Sequence, residues 1–190
     1  MPIMKAKGIA VYPHLNEPDT KFDENGVYQT QLKLDGEAGQ KLINALEKLH
    51  DDAYAAECKE HKKPKLKKAD LPFSEEYDDD GELTGNYLFR FKMKAKTSRG
   101  LEQRPVLVDA KVNPLSEPIG GGSTLVIEFE PYTWFVAALG VGMTLRLRGV
   151  QVLDLKEHKG GAACSFEAVE GFESAASTLS DDVSFEAADF

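Results

Sequence analysis

The stretch NYLFRFKMKAKT, residues 86–97, alternates strictly between two kinds of side chain. Tyr87, Phe89, Phe91, Met93 and Ala95 fall on one face of an extended chain, and Arg90, Lys92, Lys94 and Lys96 fall on the other. A period of two with one apolar face is the signature of a half-buried β-strand. The charged face repeats every two residues, about 6.6 Å, so four bases with no intervening acid form a regular row. The same row is also what a merely solvated strand face with acidic cross-strand partners would look like.

Working outward, strand composition recurs at 3–12, 27–34, 106–112, 123–130 and 143–155. Lys5 and Lys7 share a face of the first strand; Arg146 and Arg148 share one on the last, opposite Leu145 and Leu147. Gly149 then breaks the alternation, and Val150 and Val152 follow in the other phase, which predicts a bulge. Between the second strand and the 86–97 strand the period changes. Asp35 is placed as an N-cap, and Leu42, Leu46, Leu49 and Ala53 form the apolar stripe of a helix running to about Glu60. Residues 62–85 read as a polar loop in which only LPF at 71–73 packs down. The chain is thus mainly β: five to six strands, one inserted amphipathic helix and glycine punctuation. An OB-fold barrel is the leading expectation, because closure removes strand edges, and a β-sandwich with a helical insertion fits the same pattern.

The 190 residues, 42% hydrophobic, suffice for one core and a tail. We expect an OB-fold domain over 1–158 and a disordered acidic tail over 159–190. That tail holds seven acids and one base, about −6 of the net charge of −9. The remaining 158 residues are left near −3 and include the basic run KEHKKPKLKK at 59–68. The longest apolar stretch, Trp134 to Val141, is far short of a membrane span, and no signal-peptide pattern opens the chain. Cys58, Cys164 and four scattered histidines show no metal-ligand spacing, so neither a metal nor another cofactor is expected.

In EPYTWFVAAL, residues 130–139, Tyr132 and the only tryptophan, Trp134, share a side if the segment is extended. They are either core rings at a barrel end or a stacking platform beside a basic groove, the arrangement that holds single strands without reading sequence. Enzyme signatures are missing: no GxSxG, no Walker loop, and GGGS at 120–123 precedes a strand and not a helix. A metal-dependent nuclease using Asp78 to Asp80 and Asp109, and an adaptor that binds protein alone, stand as alternatives.

Several segments together resemble a known family, the single-stranded DNA-binding proteins of short-tailed, T-odd-type bacteriophages. They are HDDAYAA at 50–56, KKP at 62–64, DLPF at 70–73, PIGGGSTL at 118–125, PYTW at 131–134, LRLRGVQVLDL at 145–155 and the acidic close ending in Asp189-Phe190. The resemblance implies an OB-fold carrying an added helix and a non-enzymatic role in phage DNA replication, recombination and repair, in the cytoplasm of the infected bacterial host. It implies that Tyr132 and Trp134 are the aromatic pair of the DNA groove, and that Lys62 and Lys63 belong to a basic DNA-binding loop. It also implies that Phe190 is offered to a replicative DNA polymerase and a helicase-primase, with Asp181, Asp182, Phe185, Glu186 and Asp189 around it. A homodimer is left open. The chain departs from the family pattern in its shorter tail and in Asn25, where a relative can carry a base. An acidic tail of this kind can lie in the protein's own basic groove until DNA displaces it.

Overall fold

A computed structural model describes residues 2–21 and 23–156. The tail and its expected disorder therefore lie outside the described residues. Seven strands and one helix follow in the order β1 (Met4–Asp19), β2 (Val27–Leu34), α1 (Gly36–Glu60), β3 (Phe73–Tyr77), β4 (Leu83–Lys94), β5 (Val106–Val108), β6 (Thr124–Val136) and β7 (Gly140–Asp154). They form one sheet in the order β3-β4-β2-β1-β6-β7-β5, and β4 also pairs with β7. That added pairing is parallel, matching Phe91 with Leu145 and Lys92 with Arg146. It closes β1, β2, β4, β7 and β6 into a five-stranded barrel, the OB-type architecture, and disposes of the sandwich alternative.

The alternation read in residues 86–97 is what fills this barrel. Phe89 and Phe91 are fully buried with Leu125, Ile127, Phe129, Leu145 and Leu147. The rings of Phe91 and Phe129 meet edge to face, centroids 4.9 Å apart. Gly149 sits at a bulge: Glu128 pairs with Gly149 but Phe129 pairs with Leu147, leaving Arg148 as the extra residue. The phase shift keeps Val150 and Val152 in the core after an exposed Arg148.

Asp35 caps α1 by accepting from the Ala38 N–H at 2.9 Å. Leu42, Ile43, Leu46 and His50 bury against the barrel, and the His50 Nε2–H donates to the Val141 carbonyl at 2.9 Å, fixing the helix to the start of β7. Several elements differ from the sequence reading: β5 stops at Val108 where a strand was expected over 106–112, because Asp109 turns the chain by accepting from the Lys111 and Asn113 N–H groups. β1 continues to Asp19 through irregular pairing around Tyr12, whose φ is 48°. β3 forms inside the segment read as loop, because Phe73 packs on Tyr87 and Phe89 and draws its neighbours into register with β4. β6 runs straight through Pro131 to Val136. β1 leaves β6 at Phe129, so beyond that point one side of β6 is an open edge, where a residue without an N–H breaks no ladder.

The helix ends in a left-handed cap. Lys63 N–H donates to Cys58 O at 3.0 Å and Lys62 N–H to Lys59 O at 3.2 Å, with Lys62 at φ 52°. A side chain at this φ is disfavoured, and glycine is not. Lys62→Gly is expected to raise stability by about 1 kcal/mol; a denaturation midpoint that falls on this change would show that Lys62 makes compensating contacts.

Candidate nucleic-acid interface

One face of the barrel carries an open groove of about 1510 Å³. Strands β1, β4, β6 and β7 supply its charged and aromatic residues, and the closure of the barrel sets their order. β4 brings Lys92 and Lys94 to its wall, with Lys96 just beyond; β7 brings Arg146 and Arg148; β1 brings Lys5. Because Lys92 and Arg146 are partners across the parallel β4–β7 pair, two rows of bases far apart in sequence become one. Like charges so placed repel when the groove is empty and find counter-charge in a polyanion.

Tyr132 and Trp134 stand on the same face of β6 and line the groove. Tyr132 is 37% exposed, and Trp134 is half-buried with its Nε1–H donating to Thr144 Oγ1 at 3.1 Å. Neither ring is among the fully buried core. The Arg146 guanidinium lies over the Tyr132 ring, 3.3 Å from its centroid, a cation–π contact that already uses a face of this ring for flat stacking. The indole rests against the opposite strand at Gly142, where a Cβ would run into the ring.

Four residues of the sequence reading do not line the groove. Lys7 is exposed on β1 opposite Val126, one step past Lys5. Arg90 is exposed on β4 but lies before the point where β7 joins, and its N–H donates to Pro72 O at 2.9 Å. Lys62 and Lys63 are exposed at the end of α1. The neighbouring His61 ring packs on Phe135, 4.4 Å between centroids, and Phe135 alternates with Trp134 along β6. The KKP turn thus meets the face of the hairpin opposite the groove. The proposed tail residues Asp181, Asp182, Phe185, Glu186, Asp189 and Phe190 lie outside the described residues. Asn25 does line the groove.

Other groove residues escaped the sequence reading. Arg104 comes from an irregular loop with no periodic signal. Glu128 and Glu130 share the phase of Tyr132 and Trp134, and would have emerged had the alternation been carried back through EFEPYTW. They pair with groove bases, Lys5 to Glu128 at 3.7 Å and Arg148 to Glu130 at 3.8 Å.

Two carboxylates of the nuclease alternative, Asp109 and Asp78, are engaged otherwise. Asp109 accepts from the side-chain amide and backbone N–H of Asn113 and from the Lys111 N–H; these bonds, the Asn113 side chain foremost, hold its pKa below the usual carboxylate range. Asp78 accepts from the Asp80 and Glu82 N–H groups in a turn. Among the described residues no three His, Cys, Asp or Glu side chains are grouped to hold a metal ion. No described helix is long and apolar enough to cross a membrane.

Fold and groove together define an OB-type barrel with a basic, aromatic-lined cleft. Comparison with known proteins narrows the class. The profile of the single-stranded DNA-binding protein of bacteriophage T7 matches residues 7–155. The single-stranded DNA-binding protein of Enterobacteria phage T3 is 30% identical over 178 residues, covering 79% of this chain and 74% of that one; its counterpart from Escherichia phage T7 is 29% identical with the same coverage. The crystal structure of gp2.5, a single-stranded DNA-binding protein encoded by bacteriophage T7, superposes with a TM-score of 0.68 at 26% identity, covering 91% of this chain and 99% of that one. A single-stranded DNA-binding protein from bacteriophage Enc34, solved in complex with ssDNA, shares the fold at a TM-score of 0.56 and 20% identity, covering 82% of this chain and 88% of that one. The chain belongs to the bacteriophage T7 single-stranded DNA-binding protein family. Its relatives are named for binding and none for a reaction.

Gly142→Ala tests the seat of the indole. The methyl group must push Trp134 off the hairpin, so Trp emission is expected to shift and stability to fall by about 1 to 3 kcal/mol. An unchanged spectrum would place the indole elsewhere.

Proposed function

We propose that this chain binds single-stranded DNA without strict sequence readout, protecting it during phage DNA replication and recombination. The observation that carries the reading is the placement of Tyr132 and Trp134 within a groove walled by Lys5, Lys92, Lys94, Arg146 and Arg148. Bases of a single strand expose ring faces that a duplex conceals, and aromatic rings take them up whatever the base. The aligned cations draw the phosphates. The family membership supports the same ligand.

The acidic C-terminal segment extends the proposal. Asp181, Asp182, Glu186 and Asp189 compete with DNA for the groove, and Phe185 and Phe190 with these acids dock on a basic, apolar pocket of a replicative polymerase or helicase-primase. The work takes place in the cytoplasm of the infected bacterial host, and sedimentation of the full chain tests whether it acts as a homodimer.

Affinity for single strands is expected to exceed that for duplex and to fall steeply with salt. Replacing Lys92 and Lys94 together with Ala should flatten the log–log salt dependence by roughly one unit, at about 0.7 per phosphate contact on single strands. A slope that does not move would reduce these lysines to solvated side chains.

Truncation after Gly171 separates the roles of the tail. Removing a tethered polyanion should tighten ssDNA binding, most at low salt, and weaken capture of the polymerase or helicase. Phe190→Ala keeps every side-chain carboxylate, so it should lose partner binding alone. Unchanged ssDNA affinity of the truncated chain in dilute buffer would refute the competition, and normal partner recruitment by the Phe190 variant would refute the hook.

A further inference from the structure

A site for a polyanion has no electrostatic use for carboxylates, yet Glu128 and Glu130 line the groove, their side chains 38% and 26% exposed. Their location is ordered. Along the exposed face of β6 the residues are Val126, Glu128, Glu130, Tyr132 and Trp134, two apart, so the acids continue the aromatic row. The bases flank this row. Lys5 on β1 is the register partner of Glu128, and Arg146 on β7 is the partner of Glu130, with Lys92 beyond it.

We propose that Glu128 and Glu130 are base-contacting, specificity-determining residues: they keep phosphate off the β6 row and accept hydrogen bonds from the amino groups of nucleobases laid along it. The inference rests on the ssDNA reading above. A phosphodiester chain lying along β6 would meet two carboxylates, whereas one lying over β7 and β4 meets Arg146, Arg148, Lys92 and Lys94. The backbone is thereby held to that flank with its bases directed toward β6. Bases at one end of the row meet the rings of Tyr132 and Trp134. The row's pitch of about 6.6 Å brings neighbouring bases to Glu130 and Glu128.

The ion pairs do not saturate these acids. Distances of 3.7 and 3.8 Å to Lys5 and Arg148 are longer than hydrogen bonds, so the oxygens retain acceptor capacity. An ionised carboxylate only accepts. Cytosine and adenine present an exocyclic amino donor, as glutamate recognition of cytosine N4 requires, and guanine presents donors at N1 and N2. Thymine presents one N3–H between two carbonyl oxygens, which a carboxylate repels. The groove therefore disfavours thymine at two positions while remaining tolerant elsewhere.

The test compares the full chain's affinity for (dC)20 and (dT)20 at one salt concentration and pH 7.5, where cytosine is neutral, followed by Trp134 fluorescence. The unaltered chain is expected to bind (dC)20 at least about threefold tighter, near the lower end of what one net hydrogen bond contributes. In Glu128→Gln/Glu130→Gln the amide can donate to a thymine carbonyl, so (dT)20 should gain affinity and the gap should shrink below about twofold. Relief of phosphate repulsion alone would tighten both oligonucleotides equally and leave the gap standing, which would overturn the proposal, as would equal binding of the two by the unaltered chain. Melting curves check folding, and the single change Glu130→Gln, expected to close part of the gap, serves if the double variant is unstable. If the chain binds neither oligonucleotide, it is the ssDNA reading that fails, a result distinct from binding without discrimination.

Discussion

The pairing of β4 with β7 over two residues is the constraint on which both the fold and the groove depend. Phe91 and Leu145 point inward from it and are fully buried, whereas Lys92 and Arg146 point outward. Burying two such apolar side chains contributes about 1.5 to 3 kcal/mol each. Two like charges on neighbouring strands, about 4.8 Å apart at the backbone, repel by roughly 1 kcal/mol in a water-like medium. Burial wins, and the barrel closes over its own repulsion. Arg146 turns its guanidinium onto Tyr132, gaining a cation–π contact while moving charge away from Lys92.

Closure thus yields a row of positive charge as a by-product of packing. The acids stand on the β6 side of this row: Glu130 is the register partner of Arg146, and the ion pairs there, Lys5 with Glu128 and Arg148 with Glu130, are long. The bulge at Arg148 follows the same logic. Without its extra residue either Arg148 or the Val150 and Val152 pair would face the wrong way. The bulge lets one strand serve the groove at one end and the core at the other. Gly142 does the corresponding work for the aromatic row, because the absence of a Cβ makes room for the indole against the strand.

Much of this was legible in local sequence. The β4 alternation, the Asp35 cap with its Leu42 and Leu46 stripe, and the phase break at Gly149 each express a periodicity or a capping preference that a few residues carry by themselves. Their backbone geometry sorts the side chains before any distant partner is chosen. The family motifs were equally readable, since they are strings of residue types. β3 was not legible, because its residues are mostly polar and what holds them extended is not local: the packing of Phe73 on Tyr87 and Phe89, the ladder to β4 and the contacts of Glu76 with Lys33, Thr84 and Asn86.

What tertiary structure alone decided is which bases share a surface. Arg90 and Lys92 belong to one alternating row, yet only Lys92 meets β7, since the two strands join at Phe91. Lys62 and Lys63 belong to the most basic run, 59–68, but α1 and the His61–Phe135 contact carry them to the other face of the hairpin. Glu128 and Glu130 look like ordinary solvated positions until β6 is seen running unbroken into Tyr132 and Trp134. Alternation assigns a side chain to a face of its own strand. The partner of that face is set by a long-range parallel pairing, whose register depends on total packing, and no local pattern encodes it.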